Sequence, residues 1–208
     1  MVIRHSVKDQ VYSIIKERIL RGDYPTGSPL NIAQLTAELG VSNTPLREAL
    51  SRLESEGLVV KSNLRYQVIS LSDKLNEDLN QVTTIQALGA LDLCVRLGRL
   101  GQLESELRQA FDEQLLAYDG DDYYEYLCST TGFDRALVKA SGNDLLLSVF
   151  ESTALFLTLV TSAKHRGNVE KNMQEHMEIL MAIENADVEL ARSLIIAHYD
   201  KPLSMYPV

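Results

Sequence analysis

The stretch Gly40-Val41-Ser42-Asn43-Thr44-Pro45-Leu46-Arg47-Glu48-Ala49-Leu50-Ser51-Arg52-Leu53, followed by Gly57-Leu58-Val59, decides the fold. Gly40 suits the left-handed residue of a tight turn, and Ser42 is a good N-cap. Pro45 is tolerated in a first helical turn, where its missing amide would have had no intrahelical partner. In the helix so begun, Leu46, Leu50 and Leu53 fall at i, i+4 and i+7 with Ala49 beside them, an edge built to pack. Thr44, Arg47 and Ser51 lie on another stripe, with Asn43 at the start and Arg52 adjacent. A helix with one leucine edge and one edge of hydrogen-bond donors matches what the DNA major groove admits and displays.

Working outward, Val7, Val11, Ile14, Ile15 and Ile19 recur at helical spacing and end at Gly22, a good C-cap, which predicts a first helix. Asp23-Tyr24-Pro25-Thr26-Gly27-Ser28-Pro29 is dense in turn formers and reads as a loop. Asn31, three residues before Gln34, is a capping-box arrangement, and Ile32, Leu35 and Leu39 give the apolar face of a second helix ending at Gly40. Beyond Gly57, Leu58-Val59-Val60 and Tyr66-Gln67-Val68-Ile69 read as two short strands around Lys61-Ser62-Asn63-Leu64-Arg65. Three helices and a hairpin predict a winged helix-turn-helix.

From Ser72 onward the pattern is helical throughout, with helices expected near 73–99, 103–118, 121–141, 143–162, 168–185 and 187–201. Asn143 and Asp187 serve as N-caps, Gly101, Gly142 and Gly167 as breaks, and Leu145, Leu146, Val149, Ile179 and Ile183 as apolar repeats. Short connections favour an antiparallel bundle. The fold class is therefore mainly α, with a winged helix-turn-helix at residues 1–75 and an all-helical bundle at 76–208.

Charge separates the same two parts. The whole chain is net −9, but residues 1–75 carry 10 Lys and Arg against 8 Asp and Glu, net +2, while 76–208 carry 10 against 21, net −11. Only the first part can approach phosphate without strong repulsion. No run approaches the roughly 18 apolar residues of a membrane span, and the N-terminus does not read as a signal peptide, so no membrane partner and a cytoplasmic location are expected. Cys94 and Cys128 lack metal or redox spacing and read as free thiols. Asp119-Gly120-Asp121-Asp122 lacks the later bidentate glutamate of a calcium loop.

The residues from Tyr12 to Ile69 resemble the GntR family of bacterial transcription regulators. The likeness is carried by Ile19-Leu20-Arg21-Gly22, Tyr24-Pro25-x-Gly27, Leu30, Leu39-Gly40-Val41-Ser42-x-Thr44-Pro45-Leu46-Arg47-Glu48-Ala49-Leu50 and Leu53-x-x-x-Gly57-Leu58-Val59. The helical remainder resembles the effector domain of the FadR-type subgroup, best at Phe133-x-Arg135-Ala136-Leu137-x-x-Ala140-Ser141-Gly142-Asn143. The resemblance implies a homodimer that binds a palindromic operator and answers to a small molecule, an organic acid or acyl compound. It assigns Asn43, Thr44, Arg47 and Arg52 to DNA, with Arg65 on a wing phosphate, and Ser51, on the same stripe, can bond base edges or phosphate oxygens. Asn43 departs from the family's usual arginine, and Leu64 or Arg65 stands where the wing tip commonly has glycine.

In that subgroup an Asp and a His at i, i+4 and two later histidines often hold a divalent metal such as Zn, Ni or Mn. The later pair matches His176 and His198, whereas the first pair is Thr130 and Asp134 here. The resemblance thus implies an Asp134-His176-His198 metal set, with Thr130, Asp134 and Gln86 toward the effector. Gln86 and Gly89 stand where the family often has Arg and Glu. Two rival classes are an enzyme and an adaptor. A metal-dependent hydrolase built on Asp134, His176 and His198 lacks a clear general base, a nucleophile paired with a base and a phosphate-cradling glycine loop. A ligand-binding adaptor using the winged helix for protein contacts would show flat salt dependence, where a DNA binder is steep.

Overall fold

Ser6 opens the first helix: its hydroxyl accepts from the Asp9 amide at 3.3 Å, and α1 (Val7–Arg21) closes at Gly22, whose φ of 87° is left-handed. The computed structural model describes residues 6–63, 65–163 and 169–200. They form two compact units, Met1–Leu71 and Ser72–Val208. The division falls just before Ser72, whose hydroxyl caps the following helix by accepting from the Leu75 amide. A boundary at residue 75 would cut that helix's first turn.

In the first unit, Asn31 Oδ1 accepts from the Gln34 amide at 3.2 Å and starts α2 (Ile32–Leu39), which ends at Gly40, φ 63°. The recognition-type helix is α3 (Asn43–Ser55). Ser42 precedes it with extended backbone, but its hydroxyl makes no capping hydrogen bond, so the expected side-chain cap is not formed. Strands β2 (Val59–Ser62) and β3 (Arg65–Val68) pair antiparallel with Ser62 opposite Arg65. Asn63 takes the left-handed conformation a tight hairpin loop demands, φ 47°. Leu64, half of the wing-tip departure, lies outside the described residues. A third strand, β1 (Pro29–Leu30), pairs with β3 in the order β1-β3-β2. It occupies part of what the sequence predicts as loop, because a two-residue strand has no periodicity to betray it. Ile15, Ile19, Leu46, Leu50, Leu53, Leu58 and Val68 fill the core, while Val7 and Ile14 of the apolar series are exposed.

The second unit is six helices: α4 (Asp73–Arg96), α5 (Leu100–Asp119), α6 (Tyr123–Ala140), α7 (Asp144–Ala163), α8 (Val169–Glu184) and α9 (Val188–Tyr199). Each expected helix is present within a few residues. The break before α5 is at Gly98, φ 66°, and Gly101 lies inside α5 instead. Gly142 breaks the chain at φ 70°, and the expected break at Gly167 lies outside the described residues. α5 packs on α6 and α8, α6 on α7, α8 on α9, and α4 on α6, α7 and α9. Leu91, Leu103, Leu107, Phe133, Phe150, Ile179 and Ile195 lie in their shared core. Leu145 and Val149 are not in it: they are 80% and 58% exposed, because α7 turns Phe150, Ala154 and Leu159 inward. By length and composition α7 could cross a membrane, and it is the one described helix that could.

Candidate nucleic-acid interface and candidate metal centre

On α3 the leucine edge is buried against the first unit's core, so the opposite edge must face out. Asn43, Thr44, Arg47 and Ser51 are all exposed, and Arg47 forms no ion pair among the described residues. Arg52 is different. Its guanidinium lies 3.7 Å from the centre of the Tyr12 ring, its Nε donates to Glu56 Oε1 at 3.2 Å, and Nη1 is 3.7 Å from Asp9 Oδ1. The Tyr12 hydroxyl donates to Glu56 at 2.7 Å and accepts from Lys16 Nζ at 3.1 Å. Burial first, then the Glu56 hydrogen bond, raises the Tyr12 phenol above its ordinary range. Arg52 thus braces α3 on α1 while staying exposed on the same helix edge as Ser51. Glu48, one turn before Arg52, lies 3.5 Å from Lys8. Arg65 is exposed at the wing, as is Lys61, whose ammonium sits 5.3 Å from the Tyr66 ring centre.

In the second unit, Asp134 on α6, His176 on α8 and His198 on α9 converge and are all buried. The two Nε2 atoms are 3.3 Å apart, and Asp134 Oδ1 lies 4.0 Å from His176 Nε2 and 3.8 Å from His198 Nε2. The outer ring nitrogens fix the tautomers. His176 Nδ1 meets Gln114 Oε1 at 2.7 Å, an oxygen identified by the Gln114 amide nitrogen donating to Thr130 Oγ1 and Asn172 Oδ1. His198 Nδ1 meets the Glu175 carboxylate at 2.8 Å. Both partners are acceptors, so both Nδ1 atoms donate, and the two Nε2 atoms, in contact with each other, are turned toward the same point beside Asp134 Oδ1.

Such a donor set fits a divalent ion. Two nitrogen ligands of a tetrahedral zinc, each at about 2.0–2.1 Å, sit about 3.3 Å apart. Asp134 Oδ1 stands farther off and accepts from the Tyr199 hydroxyl at 2.6 Å. The Tyr199 phenol is held protonated, its pKa raised well above 10 by burial and then by the Asp134 charge. Phe133 stacks on His176 with ring centres 4.1 Å apart, walling that side with hydrocarbon.

Family models match both units: bacterial regulatory proteins of the gntR family over residues 7–63, and the FCD domain over residues 84–201. The chain belongs to the gntR family. A protein of Paenarthrobacter nicotinovorans named "Probable D-xylose utilization operon transcriptional repressor" is 27% identical over 94% of this chain and 86% of its own. The gluconate operon transcriptional repressor of Bacillus licheniformis is 22% identical over 95% and 84%. Among solved structures, a GntR transcriptional regulator from Rhodococcus sp. RHA1 superposes with a TM-score of 0.79 at 18% identity over 97% of each chain. McbR/YncC of E. coli gives 0.69 at 21% identity over 94% of each. This GntR protein is a DNA-binding transcription regulator with an FCD domain, and not an enzyme. The hydrolase and adaptor readings find no support among its relatives.

Of the FCD residues singled out from sequence, Asp134, His176 and His198 come together, and Thr130 joins them through Gln114. Gln86 is buried on α4 with neither amide atom hydrogen-bonded. Gln114, Glu175 and Tyr199, which orient the three central groups, are the residues sequence reasoning missed as site members. Gln114 left a signal: it interrupts the inward stripe Leu103, Leu107, Ala110, Ala117 of α5 with an amide. Tyr199 left none, since a tyrosine ending an apolar helix reads as core.

Proposed function

We propose that this regulator is a cytoplasmic homodimer whose paired α3 helices read the half-sites of a palindromic operator, and whose FCD domain sets operator affinity through a small-molecule effector. The exposed edge Asn43, Thr44, Arg47 and Ser51, backed by a leucine edge in the core, carries this reading. Arg47 has the fork to grip guanine, the three shorter side chains serve base edges or phosphates, and Arg65 with Lys61 reaches phosphate from the wing. The second copy is supported by an outward apolar stripe on α4, Val82 and Ile85, continued at Gly89, where an added Cβ would meet nothing. The neighbouring α7 adds Leu145 and Val149. A second copy of this face would cover all four.

Asp134, His176 and His198 would hold a divalent ion, which supplies a fixed positive charge tying α6, α8 and α9 together and a coordination position for an effector oxygen. The effector acts by differential affinity for dimer geometries that do or do not place both α3 helices in the groove. Selection from a randomised duplex pool tests the reading: a two-fold symmetric site should emerge, bound with an affinity that falls steeply as salt rises. Recovery of no preferred sequence with flat salt dependence would overturn it. Native mass spectrometry of the same preparation should show one zinc, nickel or manganese per chain, lost in His176→Ala. No ion even at excess metal would leave the effector site metal-free.

A further inference from the structure

Gln86 is the one side chain among the described residues whose buried donor and acceptor are both unpartnered. It is 5% exposed, and neither Oε1 nor Nε2 has a hydrogen-bond partner. Folded proteins satisfy buried amides almost without exception, because an orphaned donor or acceptor bears its full desolvation cost. A side chain that keeps both ends open in the interior of a sensor domain is therefore placed for something that arrives later. The side chains beside it on α4 are small: Ala87 and Ala90 are buried with it, and Thr83, whose hydroxyl donates to the Leu79 carbonyl, lies one turn back. That helix packs on α6 and α9, the helices carrying Asp134 and His198.

The charge of this interior restricts the ligand. Its buried polar side chains, among the described residues, are amides, hydroxyls, imidazoles and the Asp134 carboxylate, with no lysine or arginine. Glu175, on His198, adds a second carboxylate at the edge. Where no ion occupies the Asp134, His176 and His198 set, an organic acid would be desolvated beside like charge with no lysine or arginine among the described buried residues to offset it. A hydroxyl, by contrast, both donates and accepts, and a pair of adjacent hydroxyls answers the two ends of a primary amide at once.

We infer that the FCD domain of this protein takes a neutral polyhydroxylated effector, of the aldose or polyol class, with Gln86 bridging two of its hydroxyls. The inference rests on the effector reading proposed above and specifies the class of compound. An amide built to bond hydroxyls discriminates sharply against a ligand that cannot complete the pairing.

The test uses the full-length protein without DNA, with chelator present, and matched probe pairs: D-xylose with D-xylonate, D-glucose with D-gluconate, D-galactose with D-galactonate, and xylitol. Binding is read by calorimetry and by thermal shift. At least one neutral member should bind at least tenfold tighter than its acid, and Gln86→Met should weaken that binding at least tenfold. Because Met fills the same space without an orphan amide, the variant should melt no lower than the parent in the absence of ligand. Metal-free acid binding equal to or tighter than the neutral partner's overturns the inference, as does a full panel with no neutral binder. Retained affinity in Gln86→Met also overturns it, and a lower melting point in that variant shows that the amide was satisfied within the fold. Operator binding of the same preparation, measured separately, tells failure of the ligand class from failure of the regulator reading.

Discussion

Arg47 and Arg52 are five residues apart on one helix and both exposed, yet alanine at each should damage different properties. Arg47 has no ion pair among the described residues, so Arg47→Ala should change folding stability by less than about 0.5 kcal/mol, the ordinary range for a surface change. Its loss should appear on DNA instead, at about 1–3 kcal/mol per recognition helix for a forked base contact, and about twice that for a dimer on a full operator. Arg52 lies 3.7 Å over the Tyr12 ring and donates to Glu56. An exposed cation–π contact is worth about 0.5–1 kcal/mol and a helix-spaced pair about 0.3–0.5 kcal/mol, so Arg52→Ala should cost about 1 kcal/mol of folding stability.

Urea titrations of both variants, with fluorescence anisotropy on selected operator and on random duplex, separate the two roles. Arg47→Ala should lower the ratio of operator to random affinity while leaving the urea midpoint in place. Arg52→Ala should lower the midpoint and leave that ratio nearly intact. Equal loss of operator affinity in both variants, with stability unmoved in Arg52→Ala, would refute the bracing role and return Arg52 to the DNA face.

Three further outcomes follow from single contacts. Burial holds the Tyr199 phenol above the value near 10 that it has when unfolded, so its proton is lost from the unfolded chain first. Stability should be indifferent to this group below pH 10 and fall above it by up to about 1.4 kcal/mol per pH unit; Tyr199→Phe should flatten that slope in urea melts between pH 9 and 11, and an unchanged slope would count against it. Gly142 sits at φ 70°, and a Cβ there would come within 3.0 Å of the Arg99 guanidinium. Gly142→Ala should therefore cost about 1–2 kcal/mol from backbone conformation alone, with a further part relieved by Arg99→Ala, and strict additivity of the two would exclude the contact. Ile85→Glu, on the outward face of α4, should turn a dimer into a monomer by sedimentation velocity without lowering helix content, and a dimer that persists would move the interface elsewhere.

The parts of this fold legible in sequence are those whose cause lies within a few residues. Asn31, Asn143 and Asp187 cap helices through their own neighbours' amides, and Gly22, Gly40 and Gly142 take positive φ where local turns require it. The leucine edge of α3 fixes which side is left for DNA, so Asn43, Thr44, Arg47 and Ser51 were readable as a face. What sequence hides is set by partners far along the chain. β1 exists because β3 is beside it, Arg52 is claimed by Tyr12, and Leu145 and Val149 lie outside the core because Phe150 turns the other face of α7 inward.

The second unit shows the same division within one site. The spacing of His176 and His198 says nothing of their meeting; only the packing of α8 on α9 brings their Nε2 atoms to 3.3 Å. What sets their chemistry lies on other helices again: Gln114 on α5 orients one ring, Glu175 on α8 the other, and Tyr199 donates to Asp134. A residue-by-residue comparison with the family's metal pattern marks Asp134 as a substitute ligand. It does not reveal that a buried phenol has already engaged that carboxylate. An ion bound here would meet a carboxylate whose Oδ1 already accepts from Tyr199, so the strength of a contact at the end of α9 would bear on how firmly such an ion could draw α6, α8 and α9 together.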